Sequence, residues 1–332
     1  MKILLVCMQH DYGDASRKHS YEYVNYYNSL VQLGHEVVLF DYMAEMQRRG
    51  KNQMNEALLD RARQIRPDLA AFHLYTDQFE VSTVRRLREY TVTLSIFHDD
   101  AWRAEYAQHW APHFDFFTTP DYFAVRKYLA LGMKHVLFFP YGCNEKLYYR
   151  MDIPKTCEVS FVGRWHSYRQ WLVGRFRKAG IPLVVKGPGW AGGMVSHDEM
   201  IKLFNQSRIN LNISNSVSWD VRYLSSSPRA LLDRIRSRKT VEQLKARHFE
   251  INGCGGFQLS YCVEGLERHY VIGDEIDVYG SPEELVEKVR FYLKNDDLRA
   301  FIANAGYRRT LADHTFGARF KDLFQRMGLS DG

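Results

Sequence analysis

Short apolar runs alternate with amphipathic stretches along nearly the whole chain, and this rhythm restricts the fold more than any other property of the sequence. "KILLV" opens it as a buried-strand run. "SYEYVNYYNSLVQLG" follows at helical spacing and stops at Gly34, after which "EVVLF" returns to strand character. The cycle repeats through "MNEALLDRARQIR", a breaking Pro67 and "LAAFHL", then through "STVRRLREY" and "VTLSIFH". "FDFFTT" and "VLFFP" are two further strand runs, with "DYFAVRKYLALG" between them. Apolar residues spaced three and four apart mark a helix with one buried face, and short apolar runs bounded by turn residues mark strands. Their strict alternation is the pattern of a parallel sheet covered by helices on both sides.

"YGCNEKLYYRMDIPKT" breaks the rhythm with Gly, Pro and mixed polarity and reads as a linker. The cycle restarts with "EVSFVG", "SYRQWLVGRFRKAG", "PLVVKG", "SHDEMIKLFNQSR" and "INLNIS". A basic segment follows, then helix "VEQLKARHFEING", strand "FQLSY", a short acidic stretch and helix "PEELVEKVRFYLKN". "DLRAFIANAGYRRTLAD" and "FGARFKDLFQRMG" close the chain as helices. The expected fold is α/β, with two doubly wound Rossmann-like domains facing a cleft. Residues 1–145 and 151–312 form them, and a C-terminal helix over 313–332 packs back toward the first. Ligands are expected outside the carboxyl ends of the strands.

Composition removes several classes. Forty-five basic against thirty-nine acidic residues, with 45% hydrophobic content, excludes disorder driven by self-repulsion. No window approaches the roughly eighteen consecutive apolar residues of a membrane span, and "MKILLVCMQHDYG" is no signal peptide. Cys7, Cys143, Cys157, Cys254 and Cys262 are scattered, which disfavours a disulfide scaffold or a cysteine-rich zinc site. A soluble, reduced, cytoplasmic protein is expected. Residues 1–150 hold 18 basic and 18 acidic side chains, so the whole excess of +6 lies beyond them. Its densest part, Asp220 to Arg247, sets Arg222, Arg229, Arg234, Arg236, Arg238, Lys239, Lys245 and Arg247 against Asp220, Asp233 and Glu242. Such a segment is either an anion-binding surface, for phosphates, nucleic acid or anionic lipid, or a solvated helix face.

The first strand-to-helix turn lacks G-x-G-x-x-G, which disfavours a nicotinamide or flavin enzyme. It instead gathers His10, Asp11, Asp14, Arg17 and His19, either as acid/base and substrate contacts or as a polar surface loop. His98, Asp99 and Asp100 follow another buried strand. Of the two acids, one is expected to cap the next helix and the other to contact ligand. No His-x-x-x-His pair with a companion carboxylate is present, so no metal site is expected. Arg164 stands just past a strand beside Gly163, with Arg169 five residues on, a fitting place for diphosphate ligands or for surface ion pairs. Gly187 and Gly189 form a Gly-Pro-Gly turn that walls a base pocket or is simply a turn. The densest constellation is "VEQLKARHFEINGCGGFQLS". Glu242 and Glu250 lie eight apart, Lys245 and Arg247 stand between them, and a glycine cluster precedes an apolar strand. Cations at a helix N-terminus suit a diphosphate, and a Glu beyond them suits two ribose hydroxyls.

"QLKARHFEINGCGGFQLS" resembles the signature of the CgeB-like spore-maturation proteins, among the retaining glycosyltransferases of GT-B fold. "FHLYTDQF", "FHDDAWR", "FVGRW", "INLNIS", "EELVEKVRFYL" and "IANAGYRRTLADHTFGARF" extend the resemblance almost from end to end. It implies transfer of a sugar from a nucleotide-sugar to an acceptor hydroxyl on a glycan, protein or other molecule. Retention, no metal and no cofactor are part of that implication. Glu250 becomes the donor-ribose ligand, Glu242 the sugar-side residue, and Arg164, Lys245 and Arg247 diphosphate ligands. Where the larger superfamily follows its first Glu with a glycine-rich stretch, this chain has "QLKAR". The rival readings are a nucleic-acid binder or DNA-base glycosyltransferase using residues 220–247, a relative that isomerises or hydrolyses nucleotide sugars, and a silent sugar binder.

Overall fold

The computed structural model describes residues 1–237, 239 and 242–329; Arg238 of the basic segment lies outside them. The chain divides into two compact units. One comprises Met1–Pro140 and the residues from Phe316 onward, the other Tyr141–Thr315.

Unit 1 is a six-stranded parallel sheet: β1 (Lys2–Val6), β2 (Glu36–Phe40), β3 (Leu69–Phe72), β4 (Val92–Ser95), β5 (Phe116–Thr119) and β6 (Val136–Phe138), in the order β2-β1-β3-β4-β5-β6. Alternate residues of a strand point to opposite faces, so β1 feeds two cores. Leu4 and Val6 join Met54, Leu58, Phe72 and Trp110 on one side. Ile3, Leu5 and Cys7 join Tyr26, Leu30, Leu94 and Ile96 on the other. The helix Phe316–Arg326 completes this second layer with Phe316, Phe320, Leu323 and Phe324, while the helix before it, Asp296–Asp313, belongs to unit 2. Of the two closing helices, one stays with each unit.

Unit 2 is a five-stranded parallel sheet: β7 (Cys157–Val162), β8 (Val184–Lys186), β9 (Ser207–Asn212), β10 (Gln258–Tyr261) and β11 (Asp277–Tyr279), ordered β11-β10-β9-β7-β8. β11 lies inside the stretch read above as merely acidic. Strand order reverses between β7 and β9, and the crevice outside the carboxyl ends there is the natural ligand position. Residues 141–156 are more than a linker, because Cys143 and Tyr148 are buried in the second unit's core and the Cys143 N–H donates to the His314 carbonyl at 2.8 Å.

The helix expected over "VEQLKARHFEING" is shorter, Arg247–Gly253. The reason is a side-chain stop. The buried His248 ring accepts the Lys245 N–H on Nδ1 at 3.0 Å, which ties the preceding backbone into a turn. Burial holds this ring's pKa down at about 4, so it is a neutral acceptor at physiological pH. Glu242 therefore stands ahead of the helix and Glu250 within it. The basic segment contains the helices Val221–Leu224 and Pro228–Arg236, N-capped by Asp220 and Ser227. The second turns Ala230 inward and leaves Leu231, Leu232 and Ile235 exposed.

Candidate functional site

The carboxyl ends of β7 and β8 are laced together by hydrogen bonds to backbone carbonyls. Gly163 N–H donates to the Lys186 carbonyl at 3.0 Å and Trp165 N–H to the Pro188 carbonyl at 2.8 Å. The Trp190 indole donates to the Gly163 carbonyl at 2.9 Å. Two glycines permit this approach. A Cβ on Gly187, whose φ is +124°, would stand 2.4 Å from the Gly163 carbonyl oxygen, and one on Gly189 would stand 2.9 Å from Trp165 Cβ. Both predicted glycines thus shape the loop by close packing.

Arg169, in the first turn of the helix Ser167–Lys178, donates to the carbonyls of Arg164 (2.8 Å), Asn215 (3.1 Å) and Ser214 (3.4 Å). It is a strap across the ends of β7 and β9, and burial lowers its pKa to about 10. Arg164 is exposed, and its guanidinium makes no hydrogen bond or ion pair among the described residues. Half-buried His166 lies between them. Burial first, and then the charges of Arg169, Arg164 and Lys239, bring its pKa down to about 4. The charges of three cations therefore act on one uncharged ring at the switch point.

Lys239 forms a close ion pair with Glu242. The two help line a cavity of about 480 Å³ with Ser218, Trp219, Arg234 and Tyr261, and the Arg234 guanidinium stacks 3.9 Å from the Trp219 ring centroid. The Glu242 charge also reaches Arg169, Tyr261 and Tyr279. Glu250, only 5% exposed, accepts from the Tyr148 hydroxyl on Oε1 (2.8 Å) and from Arg247 Nη1 on Oε2 (2.6 Å). Arg247 also packs over the Phe204 ring, with Nη1 3.0 Å from Met200 Sδ. Each carboxylate oxygen keeps one acceptor position. Lys245 sits half-buried in the turn before the helix. The predicted donor set thus falls into a strand-end group (Arg164, Arg169, Gly187, Gly189) and a helix group (Lys245, Arg247, Glu250), with Glu242, the sugar-side candidate, lining the cavity. Arg169 senses Glu242 and Arg247 alike, so the groups adjoin.

In unit 1, His10 stacks on His19 with ring centroids 4.7 Å apart, and Asp11, raised in pKa by burial, lies 3.9 Å from Lys18. Asp99 holds the N-cap position of the helix Asp100–Trp110 but makes no capping bond; it lies 3.5 Å from Arg103 instead. Asp100 corrects the expected division of labour. It is the first helical residue, buried, and accepts from the Tyr128 hydroxyl. Burial raises its pKa to about 6. Nearby, buried His98 meets the Tyr26 hydroxyl at 3.0 Å, and His73 lies 3.3 Å from Glu22. Because the folded Asp100 carboxyl holds its proton up to about pH 6, while the unfolded one loses it near 3.8, stability falls as pH rises through that window. Two units at roughly 1.4 kcal/mol each make the loss about 3 kcal/mol. Asp100→Asn is expected to remove this decline; urea unfolding at pH 4 and pH 7 checks it.

Residues 169–325 match the family model described as "Glycosyl transferase-like". No curated protein matches the sequence. Among solved structures, sucrose-phosphate synthase of Thermosynechococcus elongatus superposes over 99% of both chains at TM-score 0.66 and 13% identity. HepE of Anabaena, solved in complex with UDP and glucose, does so over 99% of this chain and 100% of its own at 0.65 and 9%. A glycosyltransferase from Rickettsia africae covers 98% and 97% at 0.64 and 10%. Domain and fold make this chain a glycosyltransferase. Its two Rossmann-like units have the GT-B fold.

Several parts of the candidate site escaped the sequence reading. Tyr148 reaches Glu250 from 102 positions away, which no local pattern reveals. His166 was hidden inside "GRWHSYR", and only the sheet order brings the charges of three cations to act on it. Lys239 was visible as one charge in a basic run, but not as the partner of Glu242. No group of three or more His, Cys, Asp or Glu side chains poised for a metal occurs among the described residues, and no helix there is long and apolar enough to cross a membrane.

Proposed function

We propose that this glycosyltransferase takes its sugar from a nucleotide-sugar held at the carboxyl ends of β7 to β9, in the manner of the CgeB-like proteins, with retention and without a metal. The observation that carries the reading is the exposed Arg164 guanidinium, unbonded among the described residues, at the switch point beside Arg169 and neutral His166. A diphosphate is the anion that such a cluster suits. The Anabaena relative of the same fold has been solved with UDP-glucose, which supports a nucleoside diphosphate as the donor's leaving group. Arg164 is assigned to the diphosphate, with Lys239, Lys245 and the remaining donors of Arg247. Arg169 holds the loops, Glu250 offers its spare acceptor positions to ribose, and Glu242 lies toward the sugar.

Retention follows if the acceptor oxygen attacks on the face the leaving group departs. The bond from the anomeric carbon to the diphosphate breaks, the bond to the acceptor oxygen forms, and the acceptor proton passes to a leaving phosphate oxygen. Cationic side chains stabilise the growing negative charge. Unit 1 is assigned the acceptor side, with His10, Asp11, Asp99 and Asp100 as its candidates. A hydroxyl of a glycan, protein or other small molecule is the acceptor class. Nucleic acid binding through residues 220–247 is less well supported, since Arg222 is paired with Asp220 and Glu283 and Arg229 with Asp233.

UDP is expected to raise the melting temperature of the full chain, because a ligand held only by the native state stabilises it. Donor turnover is expected to survive excess EDTA. Absence of any shift with UDP or other nucleoside diphosphates would remove the donor assignment. Activity abolished by EDTA and restored by Mn²⁺ would overturn the leaving-group account.

A further inference from the structure

A second cavity of about 800 Å³ lies at the opposite edge of the unit 2 sheet. Lys155 precedes β7, Arg208 is the second residue of β9, and Phe257 directly precedes β10, so this cavity opens beside the amino ends of the strands whose carboxyl ends hold the donor cluster. Its wall carries Arg150, Lys155, Arg208 and Arg299 against Asp152 and Asp296. Asp296 is shared by Arg208 and Arg299. Lys155 and Arg150 have no carboxylate partner among the described residues. The Lys155 ammonium donates to the Asn205 carbonyl at 2.7 Å, and Arg150 donates to the Asn304 side chain.

The Arg150 guanidinium is held in place. It lies 4.8 Å from the Tyr307 ring centroid. It also packs against Gly255, where an added Cβ would stand 2.5 Å from Arg150 Nε, at a φ of +66° that itself favours glycine. Its Nη2 donates to Asn304 Oδ1. Like charges gathered this closely repel, and the pKa of Lys155 is lowered by burial and then by Arg150 and Arg299. A cation kept beside two others, with its neighbours locked by a ring and a backbone glycine, is an arrangement an anion would relieve.

We propose that this cavity is a second ligand site, separate from the donor site, which binds a small phosphorylated metabolite with its phosphate on Arg150 and Lys155. Two net positive charges match a phosphate dianion. The volume is that of an ordinary small-molecule pocket, and Tyr307, Met151 and Ile153 supply apolar surface for the rest of the ligand.

Inorganic pyrophosphate is the probe, titrated calorimetrically into the full chain. The unaltered protein is expected to show two binding events. Arg150→Gln with Lys155→Gln is expected to weaken one of them tenfold or more and to leave the melting temperature unlowered, since it removes repulsion. Asn304→Asp, which places an internal carboxylate beside Arg150, is expected to weaken the same event while keeping both cations. Arg164→Gln is expected to spare it. The proposal is overturned if pyrophosphate binding is unchanged in both the double variant and Asn304→Asp, or if Arg164→Gln alone abolishes all binding. Absence of any event sensitive to Arg164, with the event sensitive to Arg150 and Lys155 present, would count against the donor assignment and leave this site standing.

Discussion

Arg164→Ala is expected to lower kcat about a hundredfold while leaving the protein folded. The guanidinium is exposed and makes no bond within the described residues, so its removal deletes no structural contact. Its backbone carbonyl, which Arg169 uses, survives the substitution. What is lost is a positive charge aimed at the departing diphosphate, and charge there grows as the glycosidic bond breaks. An interaction that strengthens toward the transition state appears in kcat more than in KM. Loss of one such donor elsewhere is worth roughly a hundred- to a thousandfold. Steady-state kinetics beside a melting curve tests this. Normal turnover in a folded variant would take Arg164 out of the site.

Arg247→Ala is expected to fail in the opposite way, by losing stability. Its Nη1 holds Glu250 Oε2, and the carboxylate has almost no access to water. Without Arg247 it retains only the Tyr148 hydroxyl. Removing one partner of a buried ion pair costs about 3 kcal/mol, because the other charge stays behind unsolvated. Glu250→Gln in the same chain removes that stranded charge, so the double variant is expected to regain most of the loss. A double-mutant cycle by urea unfolding measures it. A loss below about 1 kcal/mol would mean the pair behaves as a solvent-screened surface contact.

The fold was legible wherever burial left its mark on composition. "KILLV", "LAAF" and "VSFV" are strands packed on both faces, and their continuous apolar runs say so. β11 was not legible, because three residues beginning with Asp277 carry neither length nor an apolar run. The helix over "VEQLKARHFEING" was read too long for a different reason: periodicity sees Leu244 and Ile251 on one face but not a histidine ring bonding the backbone three residues before it. At the site, residue types were readable and partners were not. Arg169 looked like a phosphate ligand, yet its donors go to three carbonyls on two strand ends that only the sheet order brings together. Glu250 and Arg247 were visible as neighbours in sequence. That Tyr148 completes the arrangement depends on how residues 141–156 pack in the second unit.

The path of the chain has a consequence for its birth on the ribosome. All six strands of unit 1 have been made by Phe138, but the face bearing Ile3, Leu5, Leu94 and Ile96 is not closed until Phe316, Phe320 and Leu323 arrive. All of unit 2 is synthesised in between. At roughly 5–20 residues per second that is an interval of about ten seconds or more, during which the nascent sheet shows one greasy face to solvent or to a chaperone. The last helix is thus the lid of the first domain. A stop codon placed just before it would trim no tail; it would leave the N-terminal half permanently unfinished.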